Sequence, residues 1–202
     1  MQAVKYFMDF DYTQHHGGVS YGFIRGKDKV VLIKSGLGGS CLGYKNKYLR
    51  MAHRLKSKHG CGVIVSSNPN DGEIHADTDR NILEQFIYES GIEPHEVYFF
   101  GNSNGCIKGL ELASMGVKFK RMILVNMPLM INLHKIKRCI SAIPDTHVIT
   151  VYGEYDPSYK YTPFINGKFD NSELLSVPMA DHNFEGHINE FTALCDMLIG
   201  TD

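Results

Sequence analysis

A short motif in the middle of the sequence has the residue types and the spacing of a nucleophile site. The segment Gly101-Asn102-Ser103-Asn104-Gly105 follows the apolar run Val97–Phe100 and precedes apolar residues at helical spacing. This order predicts a strand, a sharp turn and a helix, with the serine at the turn. The two glycines remove side chains that would collide with the strand and the helix. The hydroxyl of Ser103 is therefore a candidate nucleophile for acyl transfer.

The same region offers hydrogen-bond donors for a developing negative charge. The first N–H groups of a helix have no intrahelical partners, so the backbone of Asn104 is expected to form half of an oxyanion hole. A glycine-rich loop, Ser35–Ser40, follows another apolar run, and its backbone can approach a ligand closely. We expect Leu37 to supply the second donor. Gly36 and Gly38 are expected to line the substrate site.

A serine hydroxyl also needs a base, which near neutral pH is usually a neutral imidazole held by an anion. Asp156 follows the predicted strand Val148–Val151, and His182 follows the predicted strand Leu174–Val177. Ligands bind beyond the carboxyl ends of the strands in an open parallel sheet, so residues at these positions are candidates for a shared site. Tyr155, directly before the acid, is expected to contact the substrate.

These residues require a sheet to position them, and the rest of the chain predicts one. Apolar strand patterns alternate with helical patterns from Val30 to a last helix that includes Phe184, Ile188 and Leu198. Two earlier runs, Val4–Phe10 and Val19–Ile24, flank a glycine turn and predict an antiparallel edge. The expected fold class is α/β, with a mostly parallel central sheet and helices on both faces.

The motif, the segment Gly153-Glu154-Tyr155-Asp156-Pro157 and the segment Ala180-Asp181-His182-Asn183-Phe184 together resemble the α/β-hydrolase family. In that family the nucleophile, the acid and the base follow in this chain order. The resemblance extends from about Val30 onward and implies Ser103 as nucleophile, Asp156 as acid and His182 as base. One departure is Ser35-Gly36, where the family loop often begins with His-Gly.

Each assignment has a rival in the sequence. Glu154 or Asp170 are alternatives for the acid, and His187 is the alternative base. Asn126 follows the sixth strand, where some relatives place their acid, but an amide cannot carry that charge. Two cysteines near the motif, Cys41 and Cys106, are predicted to be packed thiols rather than nucleophiles.

Composition excludes several classes of partner. The chain has 202 residues, with 21 Lys and Arg against 22 Asp and Glu and a formal charge of -1. We therefore expect one domain over 1–202 without a separate lid domain, a small-molecule acyl substrate, and no nucleic-acid or membrane partner. No secretory leader pattern is present, so the expected location is cytoplasmic. The five scattered cysteines suit reduced thiols, and we expect neither metal nor cofactor.

The function that these residues favour is hydrolysis of a small carboxylic ester or thioester through an acyl-enzyme on Ser103. A peptidase, an acyltransferase, or a catalytically silent binding module with the same fold are the alternatives. Four aromatic residues surround the dipeptide Asn166-Gly167, which is suited to a tight turn. The sequence thus predicts a small aromatic flap beside Asp156, with a disordered surface loop as the alternative. The oligomeric state is left open by the sequence.

Overall fold

The structure of the protein, a computed structural model, describes residues 9–71, 75–91 and 96–200. Within these residues, eight strands form one sheet. Their bounds are β1 Tyr12–His16, β2 Val19–Ile24, β3 Val30–Lys34, β4 Gly62–Ser66, β5 Val97–Asn102, β6 Arg121–Val125, β7 His147–Gly153 and β8 Ser172–Val177.

The strand order across the sheet is β1-β2-β4-β3-β5-β6-β7-β8. Strand β2 runs antiparallel to both of its neighbours, and all pairs from β4 to β8 are parallel. The predicted antiparallel amino-terminal edge and the mostly parallel sheet are therefore confirmed. Because the parallel strands point the same way, the loops after β3, β5, β6, β7 and β8 all leave the sheet at one edge.

Helices cover both faces of the sheet. Their bounds are α1 Lys47–His59, α2 Ala76–Ser90, α3 Asn104–Ser114, α4 Leu129–Ser141, α5 Ile188–Ala193 and α6 Asp196–Ile199. Alternate residues of the buried strands enter two separate cores, as β3 shows with Leu32 on one face and Ile33 on the other. Helices α2, α3 and α4 contribute to the first core, and α1, α5 and α6 to the second.

The first described strand, β1, was not among the predicted strands. The segment predicted as a strand, Val4–Phe10, lies mostly outside the described residues, and its last two residues are not in a strand. Strand β1 is instead Tyr12–His16, which pairs with β2 across a turn in which Gly17 and Gly18 have φ values of 54° and 80°. An exposed edge strand does not need apolar side chains, so hydrophobicity did not mark it.

The end of the chain was predicted as one helix from Phe184, and this prediction was wrong. Phe184 has a φ of 57°, which ends any helical path at that residue, and α5 begins only at Ile188. A second short helix, α6, follows it. Apolar spacing persists across both segments because their side chains pack on the same core, so periodicity alone could not locate the breaks.

The aromatic segment after β7 is ordered but is not a hairpin flap. It forms a short 3-10 helix, Tyr159–Phe164, and the predicted turn residue Gly167 follows with a φ of 63°. Tyr159, Tyr161 and Phe169 are partly buried against the core, whereas Phe164 is exposed. The aromatic side chains therefore anchor the segment to the body of the protein.

Candidate active site

The turn at Ser103 is strained, as the motif predicted. Ser103 has φ 53° and ψ -124°, a conformation that side-chain-bearing residues rarely adopt. A Cβ atom at Gly101 would lie 2.9 Å from the backbone nitrogen of Cys106, and one at Gly105 would lie 2.5 Å from the carbonyl oxygen of Ser35. Both glycines are therefore needed to bring β5, α3 and the β3 loop together around the serine.

Three side chains from three loops form a continuous hydrogen-bonded chain at the carboxyl edge. The Oγ atom of Ser103 lies 3.1 Å from Nε2 of His182, and Nδ1 of the same imidazole lies 2.5 Å from Oδ2 of Asp156. An ionised carboxylate can only accept, so Nδ1 carries the proton that faces it. Nε2 is then the free acceptor for the serine proton. This arrangement has the geometry that a general base requires.

The acid position is buried and well held. The side chain of Asp156 is 1% exposed, and its second oxygen accepts the backbone N–H of Ser158 at 2.7 Å. The rival acids occupy different surroundings. Glu154 is exposed and accepts the backbone N–H of Met179 at 3.4 Å, while Asp170 is exposed beyond the 3-10 helix. Of the three carboxylates, the structure brings Asp156 to the imidazole.

The base position does not lie where the sequence suggested. His182 was predicted at the start of the last helix, but it lies in the loop before α5 with its side chain 43% exposed. The residue that precedes α5 directly is His187, whose Nδ1 lies 3.8 Å from Glu190. The reason for the error is that the loop makes two tight turns, with left-handed φ values at Met179 and Phe184.

The two expected oxyanion donors belong to loops and helix starts at the carboxyl ends of β3 and β5. Asn104 is the first residue of α3, and Leu37 lies in the loop after β3. Within the described residues the Leu37 N–H has no hydrogen-bond acceptor, although the neighbouring Gly38 N–H donates to the carbonyl of Asn68 at 2.7 Å. Gly36 packs directly on the serine, since a Cβ atom there would lie 3.2 Å from that of Ser103.

A buried asparagine that the sequence analysis missed holds the Leu37 loop to helix α3. The side-chain nitrogen of Asn68 donates to the carbonyl of Ser35 at 3.2 Å and to Oδ1 of Asn104 at 3.1 Å. Its backbone N–H donates to the carbonyl of Gly39 at 3.0 Å. The available signal was its position just after the buried strand β4, at the same edge as the other site residues.

The other residues that we expect to contact the substrate are exposed. Gly38 has a φ of 72°, and a Cβ atom there would meet nothing within 4 Å. Tyr155 is 66% exposed and Leu37 is 56% exposed, so both side chains are available to a ligand. The structure thus places them on loops that border the edge where Ser103 lies.

The two nearby cysteines are poor candidates for nucleophiles. Cys106 is fully buried, and its thiol donates to the carbonyl of Val125 at 3.3 Å. Burial raises the pKa of the Cys106 thiol well above its usual value, and burial also raises the pKa of Cys41. Both thiols therefore stay protonated at neutral pH, which leaves Ser103 as the nucleophile candidate of this edge.

Comparison with known proteins supports the architecture. No protein-family model and no curated protein sequence matches the chain. Solved structures do match, among them Est1E from Butyrivibrio proteoclasticus, with a TM-score of 0.69 and 14% identity over 93% of this chain and 96% of that one. An alpha-beta serine hydrolase homologue from Coxiella burnetii has a TM-score of 0.70 and 15% identity over 94% and 96% of the two chains.

A third match is FphF, a fluorophosphonate-binding serine hydrolase from Staphylococcus aureus, with a TM-score of 0.70 and 12% identity over 94% of this chain and 97% of that one. The protein has the α/β-hydrolase fold. At these identities the likeness concerns the path of the backbone.

Within residues 9–71, 75–91 and 96–200, no group of three or more His, Cys, Asp or Glu side chains is arranged to hold a metal ion. Among the helices that the structure describes, none combines the length and the apolar character needed to cross a membrane.

Proposed function

We propose that the protein is a serine hydrolase that cleaves a small carboxylic ester or thioester through an acyl-enzyme on Ser103. The observation that carries the proposal is the hydrogen-bonded chain from Ser103 through His182 to Asp156, at 3.1 and 2.5 Å. It joins a strained, accessible serine to an oriented base and a buried anion. The fold supports the proposal because several proteins of like structure are described as serine hydrolases.

In the first half-reaction, Oγ of Ser103 attacks the acyl carbonyl carbon while its proton moves to Nε2 of His182. The imidazolium that forms is stabilised by the carboxylate of Asp156. The carbonyl oxygen becomes an oxyanion, which we expect the N–H groups of Leu37 and Asn104 to hold. When the tetrahedral intermediate collapses, the bond to the alcohol or thiol breaks, and His182 returns the proton to that leaving group.

In the second half-reaction, water replaces the leaving group. His182 removes a proton from the water as its oxygen attacks the acyl carbon, and the same two N–H groups hold the second oxyanion. Collapse breaks the bond to Ser103, the proton on Nε2 returns to Oγ, and a carboxylic acid is released. The net reaction consumes one water and needs no cofactor.

The test is labelling with a fluorophosphonate probe, because such probes react with an activated serine. Wild-type protein is expected to label, and Ser103→Ala is expected to give no labelling. Ser176→Ala, which changes an exposed serine of β8, is the matched control and should label like wild type. Labelling of Ser103→Ala at the wild-type rate would contradict the assignment of the nucleophile.

A panel of ester, thioester and amide substrates then separates the reaction classes. We expect turnover of small esters or thioesters, with losses of about 10³-fold or more in Ser103→Ala. Turnover of amides alone would favour a peptidase, and transfer to an added alcohol or amine without hydrolysis would favour an acyltransferase. A wild-type protein that neither labels nor turns over any substrate would indicate a silent binding module.

A further inference from the structure

The loop that carries His182 crosses directly over the end of β7, which leads to Asp156. A Cβ atom at Gly153 would overlap the carbonyl oxygen of Ala180 and would lie 3.0 Å from that of Asp181. The backbone N–H of Tyr155 also donates to the carbonyl of Ala180 at 2.9 Å. The loop of the base and the loop of the acid are therefore in backbone contact at this crossing.

A fully buried side chain, Asn126, lies at the crossing. Its side-chain nitrogen donates to the carbonyl of His182 at 3.0 Å and to that of Asp181 at 3.2 Å. Its side-chain oxygen accepts the backbone N–H of Gly153 at 2.9 Å. One amide group thus binds the histidine loop on one side and the end of the aspartate strand on the other.

In the order of the sheet, Asn126 lies between the loop that carries Ser103 and the loop that carries Asp156. It follows β6, whose neighbours in the sheet are β5, which leads to Ser103, and β7, which leads to Asp156. Its backbone N–H donates to the carbonyl of Val151 at 2.8 Å, and its φ is 49°. Asparagine adopts this left-handed conformation more readily than most residues, so the turn presents the amide inward at little cost.

We propose that Asn126 is a positioning residue that sets the distance between His182 and Asp156, an inference that rests on the proposed hydrolase function. Two carbonyl oxygens on one side require a donor, and one N–H on the other side requires an acceptor. Only an amide of this size supplies both. An aspartate at this position would keep the hydrogen bond to the N–H of Gly153. Its negative charge would repel the two carbonyl oxygens and would so displace the loop that carries His182.

The test compares Asn126→Asp with a control at the opposite end of the sheet. Asn171 likewise donates to two carbonyl oxygens, those of Ile143 and Thr146, both at 2.9 Å, and it directly precedes β8. Asn171→Asp therefore creates the same repulsion away from the site. Urea unfolding of both variants measures the stability cost, and steady-state kinetics with the best small ester measures kcat and KM.

We expect Asn126→Asp to lower kcat roughly 100-fold with KM within about threefold of wild type, because a displacement of about 1 Å at a catalytic group costs about that much. The rate of fluorophosphonate labelling should fall in parallel. Asn171→Asp should keep kcat within about twofold, whatever its unfolding midpoint. Asn126→Gly suits the left-handed backbone and lacks the amide, so it provides the same test if Asn126→Asp does not fold.

The positioning role would be overturned if both Asn126 variants kept the wild-type kcat, or if Asn171→Asp lost as much kcat as they do. In either case, labelling of the wild-type protein on Ser103 would leave the proposed function intact. A rise in KM alone would also overturn it, since a substrate contact and not the base would then be affected. A wild-type protein that does not label at Ser103 would overturn the proposed function and this inference with it.

Discussion

Gly36 lies so near Ser103 that a Cβ atom added to Gly36 would be 3.2 Å from the Cβ atom of Ser103. It would also lie 3.5 Å from the side-chain nitrogen of Asn102. The loop that carries Leu37 therefore packs against Ser103. Any side chain at position 36 has to move the loop and the serine apart by a few tenths of an ångström.

This contact predicts the effect of Gly36→Ala. The methyl group should displace the Leu37 donor from the oxyanion and lower kcat by roughly tenfold, since misplacement of a donor by a fraction of an ångström weakens catalysis. The urea unfolding midpoint should change little, because the backbone of Gly36 is not in a left-handed conformation. Wild-type kcat in the alanine variant would show that the Leu37 loop does not contribute to the reaction.

The acid assignment gives a second prediction. Asp156→Asn should lower kcat by about 10⁴-fold, as the same change does in a well-studied triad, because the imidazole loses the anion that orients and stabilises it. Glu154→Gln and Asp170→Asn should remain within about twofold of wild type, since neither carboxylate bonds to His182. The largest loss in Glu154→Gln would show that the acid has been misassigned.

The sequence predicted the sharp turn at Ser103 because the residues that determine this turn are close together in the chain. The strained backbone of Ser103 and the two flanking glycines lie within one short segment, so the spacing of the glycines predicts the turn. The parallel strands were equally predictable, since strands buried on both faces are continuous apolar runs. Edge strand β1 was not predicted, because an exposed strand needs no such run.

The loop of His182 could not be predicted in the same way. Its path depends on left-handed turns at Met179 and Phe184 and on contacts with Gly153 and Asn126, which are distant in the sequence. Neither Met nor Phe signals a left-handed φ, because such turns usually use glycine or asparagine. The predicted helix therefore began too early, although the sequence did predict which histidine lies beside Asp156.

A buried ion pair beneath the Leu37 loop gives a prediction on stability. Nζ of Lys34 lies 2.7 Å from Oδ2 of Asp79, and both side chains are 0% exposed. The hydroxyl groups of Ser66 and Tyr21 donate to the other oxygen at 2.7 and 2.9 Å. Burial lowers the pKa of Lys34, although Asp79 acts in the opposite direction.

Lys34→Met should lower the free energy of unfolding by roughly 3–5 kcal/mol, because it leaves a buried carboxylate without its cation. The double variant Lys34→Met/Asp79→Leu should recover most of that loss, since neither charge then has to be desolvated. Urea unfolding of the two single variants and the double variant gives the coupling free energy between Lys34 and Asp79. A double variant that is no more stable than Lys34→Met would contradict this account.

Lys47 gives a prediction on pH. Its side chain is almost fully buried and its Nζ lies 4.1 Å from the centre of the Phe191 ring. Burial lowers the pKa of Lys47 to about 8, although Asp181 acts in the opposite direction. The unfolded chain keeps a lysine pKa of about 10.4. Between these values the unfolded state binds more protons, so the free energy of unfolding rises with pH.

Comparison with Lys47→Met isolates this group from the others that titrate at alkaline pH. Wild type should gain up to about 3 kcal/mol relative to the methionine variant between pH 8 and 10.5, since one pKa unit corresponds to about 1.4 kcal/mol. Below about pH 8 the difference between the two proteins should be constant. Parallel stability curves across the whole range would show that the pKa of Lys47 is unchanged on folding.

The openness of the site gives a prediction on substrate length. Only residues 126–128 connect β6 to α4, and the first turn of α4 leaves Ile131 74% exposed. The aromatic segment after β7 packs on the core and forms no hairpin flap beside the acid. Each added methylene contributes about 0.8 kcal/mol to binding only where protein surface covers it.

Short acyl chains should therefore be hydrolysed best. In a p-nitrophenyl ester series from acetate to decanoate, kcat/KM should be highest for the shortest chains, with no increase in rate above the micellar concentration. Ile131→Ser should leave the acetate rate unchanged, because the side chain it replaces lies in solvent rather than against the acyl carbon. A maximum at decanoate that Ile131→Ser removes would show that the first turn of α4 covers the acyl chain, contrary to the open site.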